Sequence, residues 1–248
     1  MNFYESIAPW YDFIFPASPL QTQFVKMKLE GLEGKELVDV GCGTGNLTIQ
    51  LAAGGANITG LDLDAQMLDV AREKSKNLSN IHFLQSDMLK LTDHFTPASL
   101  DGIVCFGNTL VHLLKPGEVR KFFRQCHELL KPSGAILLQM INYDNVLDND
   151  LQGLPSIDND QIRFDREYQL REQDELINFK TLLTVKESGK TVKNSVVLQP
   201  LRRELLKQIL EDTGLEITNI YGSFEMSIFM PSSIPFVAEI RPTSSTFL

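Results

Sequence analysis

Cysteine is scarce in this chain. The three present, Cys42, Cys105 and Cys126, are odd in number and far apart, with no C-x-x-C pair. That spacing excludes a disulfide framework and a cysteine-based zinc centre, and it suits a reducing compartment. No metal site is expected, and each cysteine reads as a small buried residue. Long apolar runs are missing too, so no stretch is expected to cross a membrane. Basic clusters are also absent: 23 Lys and Arg against 32 Asp and Glu leave a net charge of −9. Such a balance argues against nucleic acid and anionic membrane as partners. The first residues, MNFYESIAPW, lack the basic-then-apolar order of a secretory leader, so a cytoplasmic location is expected.

What is present is an ordinary globular composition, 43% apolar and 22% charged over 248 residues. A single large α/β domain, or a core with an appendage, fits that length. From Leu37 to Ile141 strand-like and helix-like segments alternate. ELVDVG, NITGLD, IHFLQSD, LDGIVCFGN and AILLQMI read as strands, and NLTIQLAAGGA, AQMLDVAREKSKN and PGEVRKFFRQCHELLKPSG as helices. Asp64 is placed to cap the second helix, and Pro116 falls in the first turn of the third. Near-continuous apolar strands joined by helices imply a parallel sheet covered on both faces. Beyond Asn142 the texture changes. YDNVLDNDLQGLPSIDNDQ reads as a loop, and IRFDREYQL, LINFKTLLTVKESGK and TVKNSVVLQPL as antiparallel strands, with Ser188, Gly189 and Lys190 in a tight connection. RRELLKQILEDTG returns to helix, and LEITNIYGSFEMSIF and PFVAEIRP form a terminal strand pair.

The first strand runs into a glycine loop, LVDVGCGTGNL. Gly41, Gly43 and Gly45 follow a G-x-G-x-G spacing, whereas a dinucleotide fingerprint needs glycine at position 46, where Asn46 stands. A P-loop would need a lysine after the glycines, and none is there. A polyphosphate calls for positive charge as well as backbone N–H groups. The loop therefore suits close backbone approach to a ligand with little negative charge.

In VDVGCGTGNLT, GLDLDAQML, LQSDML and LKPSGAILLQMIN, taken in that order, the chain resembles the class I S-adenosylmethionine-dependent methyltransferases. It looks most like small-molecule N-methyltransferases of the glycine and deoxysugar-amine type. The resemblance implies an α/β fold: a Rossmann-like, seven-stranded, mostly parallel sheet with helices on both faces, plus an antiparallel hairpin insertion after the fifth strand. It implies a helical lid over residues 1–35 and a cofactor-binding core over 36–142. It further implies an insertion over 143–200, either a substrate cover or an oligomer contact such as a homodimer, with 201–248 completing the sheet. The implied cofactor is S-adenosylmethionine. Gly41, Cys42, Gly43 and Gly45 would lie against its methionyl part, with Phe106 and Gly107 at the same end. Asp62 would take the ribose hydroxyls, with Leu63 and Met67 close by; Asp87 would take the adenine amine, with Met88 against the ring. Asp39 would face the amino group, and Tyr11 would reach the cofactor from the lid. Taken singly, Asp62 also fits a helix cap and Asp87 a turn.

Phe106, Gly107, Asn108 and His112 follow the fourth strand and Asn142 and Tyr143 the fifth, so both groups are expected at the crevice. FGNTLVHL is similar to a stretch of the glycine-type enzymes, which makes His112 the candidate base. His82, His94 and His127 read as structural or exposed, and Arg163, Arg166 and Arg171, alternating with acids, as a solvated strand face. Alignment alone can remove about 7–11 kcal/mol of barrier, so methyl transfer demands no fixed catalytic motif. The expected function is methylation of a nitrogen or oxygen on a small-molecule acceptor. The alternative is a non-catalytic protein that binds S-adenosylmethionine or S-adenosylhomocysteine in a regulatory role.

Overall fold

The computed structural model describes residues 3–171 and 173–243. Residues 1, 2 and 244–248, assigned above to the first and last segments, lie outside the described residues, as does Glu172. The chain opens with two short helices, α1 (Phe3–Ile7) and α2 (Tyr11–Ile14), and a longer one, α3 (Pro19–Lys28). An alternating series follows: β1 (Glu36–Val40), α4 (Asn46–Ala53), β2 (Asn57–Asp62), α5 (Ala65–Lys74), β3 (Ile81–Gln85), β4 (Leu100–Cys105), α6 (Pro116–Leu129) and β5 (Leu130–Ile141). Next come α7 (Tyr143–Asp148), β6 (Gly153–Asp158), β7 (Ile162–Leu170), β8 (Ile177–Val185) and β9 (Thr191–Leu198). α8 (Arg203–Glu211), β10 (Leu215–Tyr221) and β11 (Pro235–Pro242) complete the order.

Local chemistry sets these elements. The Asp64 carboxylate accepts from the backbone N–H groups of Gln66 and Met67, capping α5 as its position in the sequence suggested. In α6, Val119, Phe122, Phe123, Cys126 and Leu129 fall on one face and are fully buried. The seven-stranded sheet has the order β10-β11-β5-β4-β1-β2-β3. β1 to β5 pair in parallel, while β11 runs antiparallel to both β5 and β10. The order reverses direction between β1 and β4, which opens a crevice beyond their carboxyl ends. The glycine loop leaves β1 there, and Phe106 to Asn108 leave β4 there.

A second sheet, β6-β7-β8-β9, is antiparallel and sits in the chain between β5 and α8. It corrects one expectation. The stretch from Tyr143 read as loop forms α7 and β6 instead, because Asn142 caps α7 and β6 pairs with β7. Its leucines, Leu147, Leu151 and Leu154, stand among Asp, Asn and Gly that signal turns, yet all three pack on the core. β5 also begins earlier than expected, with Leu130 already paired to Leu100 ahead of a register shift.

Ile7 and Ile14 of the N-terminal helices share a buried cluster with Ile162, Phe164 and Leu183 of the second sheet. The opening segment therefore packs on the inserted sheet. It is also tied to the glycine loop: the Asp12 carboxylate accepts from Thr44 Oγ1 (2.5 Å), Asn46 Nδ2 (2.9 Å) and Lys74 Nζ (2.8 Å). Among the described residues no helix is long and apolar enough to cross a membrane.

Candidate functional site

The crevice is roofed into a cavity of about 300 Å³. Its floor is the loop after β1 and the turn after β4; its roof is α1, α2 and the inner face of the second sheet. The glycines of the floor have left-handed backbone, with φ +74° at Gly41 and +54° at Gly43. Space adds a second reason for glycine. A Cβ on Gly43 would lie 3.1 Å from the Tyr11 hydroxyl, and one on Gly41 would meet the Thr109 side chain at 2.5 Å. The loop thus brings backbone to the cavity where any side chain would block it.

Two carboxylates stand at this end. Asp39 is 4% exposed and accepts from Thr48 Oγ1 at 2.6 Å. Burial pushes its pKa up to about 6; the Thr48 hydrogen bond opposes this, and the nearby charge of Asp62 adds to it. Asp62 accepts from Gly43 N–H (2.8 Å) through one oxygen and Asp64 N–H (2.9 Å) through the other. Burial raises its pKa as well, against the pull of those backbone donors. Among the described residues, neither acid forms an ion pair.

Tyr11, Asp39, Gly41, Cys42, Phe106, Gly107 and His112 all line the cavity. Gly43 and Gly45 are buried within the loop behind it. Asp62 braces the loop from beneath, through the Gly43 N–H. The other expected contacts lie apart. Leu63, 60% exposed, and Asp87 border a separate shallow depression, where Asp87 caps the next turn through Leu89 N–H (2.8 Å). Met67 and Met88 are packed into the interior, 1% and 9% exposed.

His112 ends a single 3-10 turn, and its Nε2 lies 2.9 Å from the Tyr4 hydroxyl. Burial lowers the imidazole to about 4, so the ring is neutral at pH 7. Burial also raises both Tyr4 and Tyr11, keeping their hydroxyls protonated. Asn108 lines the cavity; its Nδ2 donates to Tyr143 Oη (2.9 Å), and its Oδ1 accepts from Ile141 N–H (3.0 Å). Tyr143 and Asn142 back this wall and do not line it. Asn142 donates to the carbonyls of Pro231 (2.9 Å) and Ser233 (3.0 Å).

The second sheet supplies lining that the sequence reading missed: Leu154, Phe164, Arg166, Tyr168, Phe179 and Leu198. Arg166 also departs from its expected solvated face. Arg163 pairs with Asp158 and Asp165, and Arg171 with Asp174, on the surface as expected. Arg166 lies an odd number of residues from both, so it points to the opposite face, in the row of Ile162, Phe164 and Tyr168. Strand period was the signal that could have found it.

A family model described as a methyltransferase domain matches residues 37–134. A protein of Geobacillus sp. (strain WCH70) whose name includes the word methyltransferase is 38% identical over 143 residues, 55% of this chain and 57% of that one. A ubiquinone biosynthesis O-methyltransferase of Actinobacillus pleuropneumoniae serotype 7 (strain AP76) is 32% identical over 151 residues, 57% of this chain and 63% of its own length. The matched region thus spans less than two thirds of these relatives. A solved S-adenosylmethionine-dependent methyltransferase from Clostridium acetobutylicum ATCC 824 superposes with a TM-score of 0.80 at 20% identity, covering 98% of this chain and 100% of that one. The amino pentose methyltransferase of Micromonospora echinaspora gives 0.67 at 19%, covering 96% and 97%. At such identities the structural likeness speaks for the fold.

Proposed function

We propose that the chain, whose residues 37–134 match a methyltransferase-domain model, moves a methyl group from S-adenosylmethionine to a nitrogen or oxygen of a small molecule. The observation that carries this reading is the acidic, glycine-floored end of the cavity. Asp39 is buried and Asp62 half-buried, both are raised, and no ion pair neutralises either among the described residues. Such a site disfavours a pyrophosphate and favours a ligand with positive charge. A sulfonium that also carries an ammonium group fits that demand.

Gly41, Cys42 and Gly107 would hold the methionyl end, with Asp39 as counter-charge and Tyr11 closing from above. Asp62 would serve the ribose through the loop edge it already braces. When bound, the cofactor would supply an electrophilic methyl group on a good leaving group. The chain's own task is alignment and exclusion of water. Phe15, Phe164, Tyr168 and Phe179 surround the acceptor side of the cavity and keep it apolar. Where the acceptor arrives protonated, His112 would be the group to take the proton: in the tautomer that donates Nε2–H to Tyr4 Oη, Nδ1 would be the accepting atom.

The names of two relatives, one an O-methyltransferase and one an amino pentose methyltransferase, favour a small acceptor. A purely regulatory binder would be favoured by a crevice filled with its own side chains, and here about 300 Å³ stays open. Calorimetric titration with S-adenosylhomocysteine and, separately, NAD tests the reading. Saturable binding of the first alone is expected, with a stability gain of roughly 2.7 kcal/mol at about 100 times its dissociation constant. NAD binding without S-adenosylhomocysteine binding would overturn it.

A further inference from the structure

We propose that the acceptor bears a carboxylate, and that Arg166, helped by Thr181, is the group that reads it. The word acceptor rests on the methyl-transfer reading; the anion site itself does not. Arg166 stands in the apolar inward row of β7, between Phe164 and Tyr168, and lines the cavity. Its Nη2 donates to the Pro155 carbonyl, but its Nε is buried without a hydrogen-bond partner. Among the described residues it forms no ion pair. The contrast with Arg163 is direct. There the hydrogen bond that Arg163 donates to Asp165 raises the guanidinium's hold on its proton, whereas burial lowers it at Arg166.

A second orphan sits on its cross-strand partner, which is not itself among the cavity-lining residues. Thr181 is opposite Arg166 in the β7–β8 register, so both side chains are on one face of the sheet. It is 5% exposed, and its Oγ1 is also buried without a partner. Of three such side-chain atoms among the described residues, two therefore fall on one cross-strand pair. Buried polar groups in native proteins are normally satisfied, so an unpartnered cationic N–H and an unpartnered hydroxyl on one cross-strand pair call for an oxygen-rich anion.

Charge selects which anion. Among the described residues the cavity wall carries one fixed cation, Arg166, because His112 is neutral at pH 7. Leu154, Phe164, Tyr168 and Phe179 make its surroundings apolar. A monoanionic carboxylate balances one guanidinium, whereas the second charge of a phosphate would stay uncompensated in a low dielectric.

The 248-residue chain labelled with 15N-arginine, titrated with benzoate, benzamide and inorganic phosphate, tests this. The Arg166 Nε–H resonance, assigned by its loss in Arg166→Lys, should shift saturably with benzoate and stay put with benzamide. Arg166→Lys should weaken benzoate by about tenfold to a hundredfold, and Thr181→Val by about threefold to tenfold. Both variants should keep their affinity for S-adenosylhomocysteine, showing an intact fold. No saturable benzoate shift, an equal response to benzamide, or tighter binding of phosphate would overturn the proposal. The contrast in unsubstituted protein decides the matter even where a variant fails to fold. A benzoate response without S-adenosylhomocysteine binding would sink the methyl-transfer reading and leave the anion site standing. The reverse pattern would sink only the anion site.

Discussion

The two ends of the cavity are built from different material. The sheet end is backbone and acid: left-handed glycines, the Thr48-bonded Asp39 and the loop-bracing Asp62. The inserted end is side chain: an apolar, aromatic row interrupted by one cation, Arg166. The roles proposed above give one end a positive ligand and the other a negative one. The polarity is assembled from two separate sheets, so each end can be altered without rebuilding the other.

The ends also differed in how well the sequence displayed them. Glycines at G-x-G-x-G spacing and an aspartate closing the next strand are local patterns, because loop geometry and strand ends are local events. The seven-stranded sheet was legible for the same reason, through β-α alternation. The inserted end was not. Which face of β7 turns inward depends on what packs over it, and that partner is the N-terminal segment, some 150 residues distant in sequence (Ile7 and Ile14 against Ile162 and Phe164). Likewise β6 exists because β7 pairs with it, through a stretch whose Asp, Asn and Gly content signals a loop. Asp87 shows the converse: a motif residue that caps a turn beside a depression separate from the cavity.

Several changes should separate the two ends. The largest effect is expected from Phe164→Ala, since this residue is 1% exposed and joins the inserted sheet to the N-terminal helices. A loss of about 3–5 kcal/mol in urea-induced unfolding is expected; a loss under 1 kcal/mol would mean the two regions are not packed as one.

Next comes a pH effect. Burial lowers His112 from 6.5 to about 4, so the unfolded chain binds its proton first and stability falls between those values on acidification. Asp39, raised from 3.8 to about 6, acts in the opposite sense: the folded state holds the proton over an overlapping interval and gains stability as pH falls. The two offset each other in the native protein. His112→Phe removes only the first, so the variant should gain about 3 kcal/mol relative to the parent between pH 7 and pH 4. A pH-independent difference would show that the imidazole is not held neutral.

Asp62→Ala should weaken S-adenosylhomocysteine by about 1.5–3 kcal/mol, the worth of charge-assisted hydrogen bonds. Calorimetry showing unchanged affinity would remove Asp62 from the ribose assignment. The smallest effect belongs to Arg163→Ala. Its pairs with Asp158 and Asp165 lie on the surface, and no change in unfolding beyond the scatter of the measurement, with benzoate binding unaltered, is expected. A loss of benzoate binding there would erase the distinction between Arg163 and Arg166.

The most direct measurement is the affinity of S-adenosylmethionine by calorimetry at pH 7 and pH 5, in the parent and in Asp39→Asn. Only ionised Asp39 attracts a cation, and its carboxyl is raised to about 6. Binding should therefore weaken about tenfold on going to pH 5, with that dependence gone in the variant. Affinity that ignores both the pH and the substitution, or no binding at millimolar ligand, would contradict the seating of a sulfonium at the acidic end.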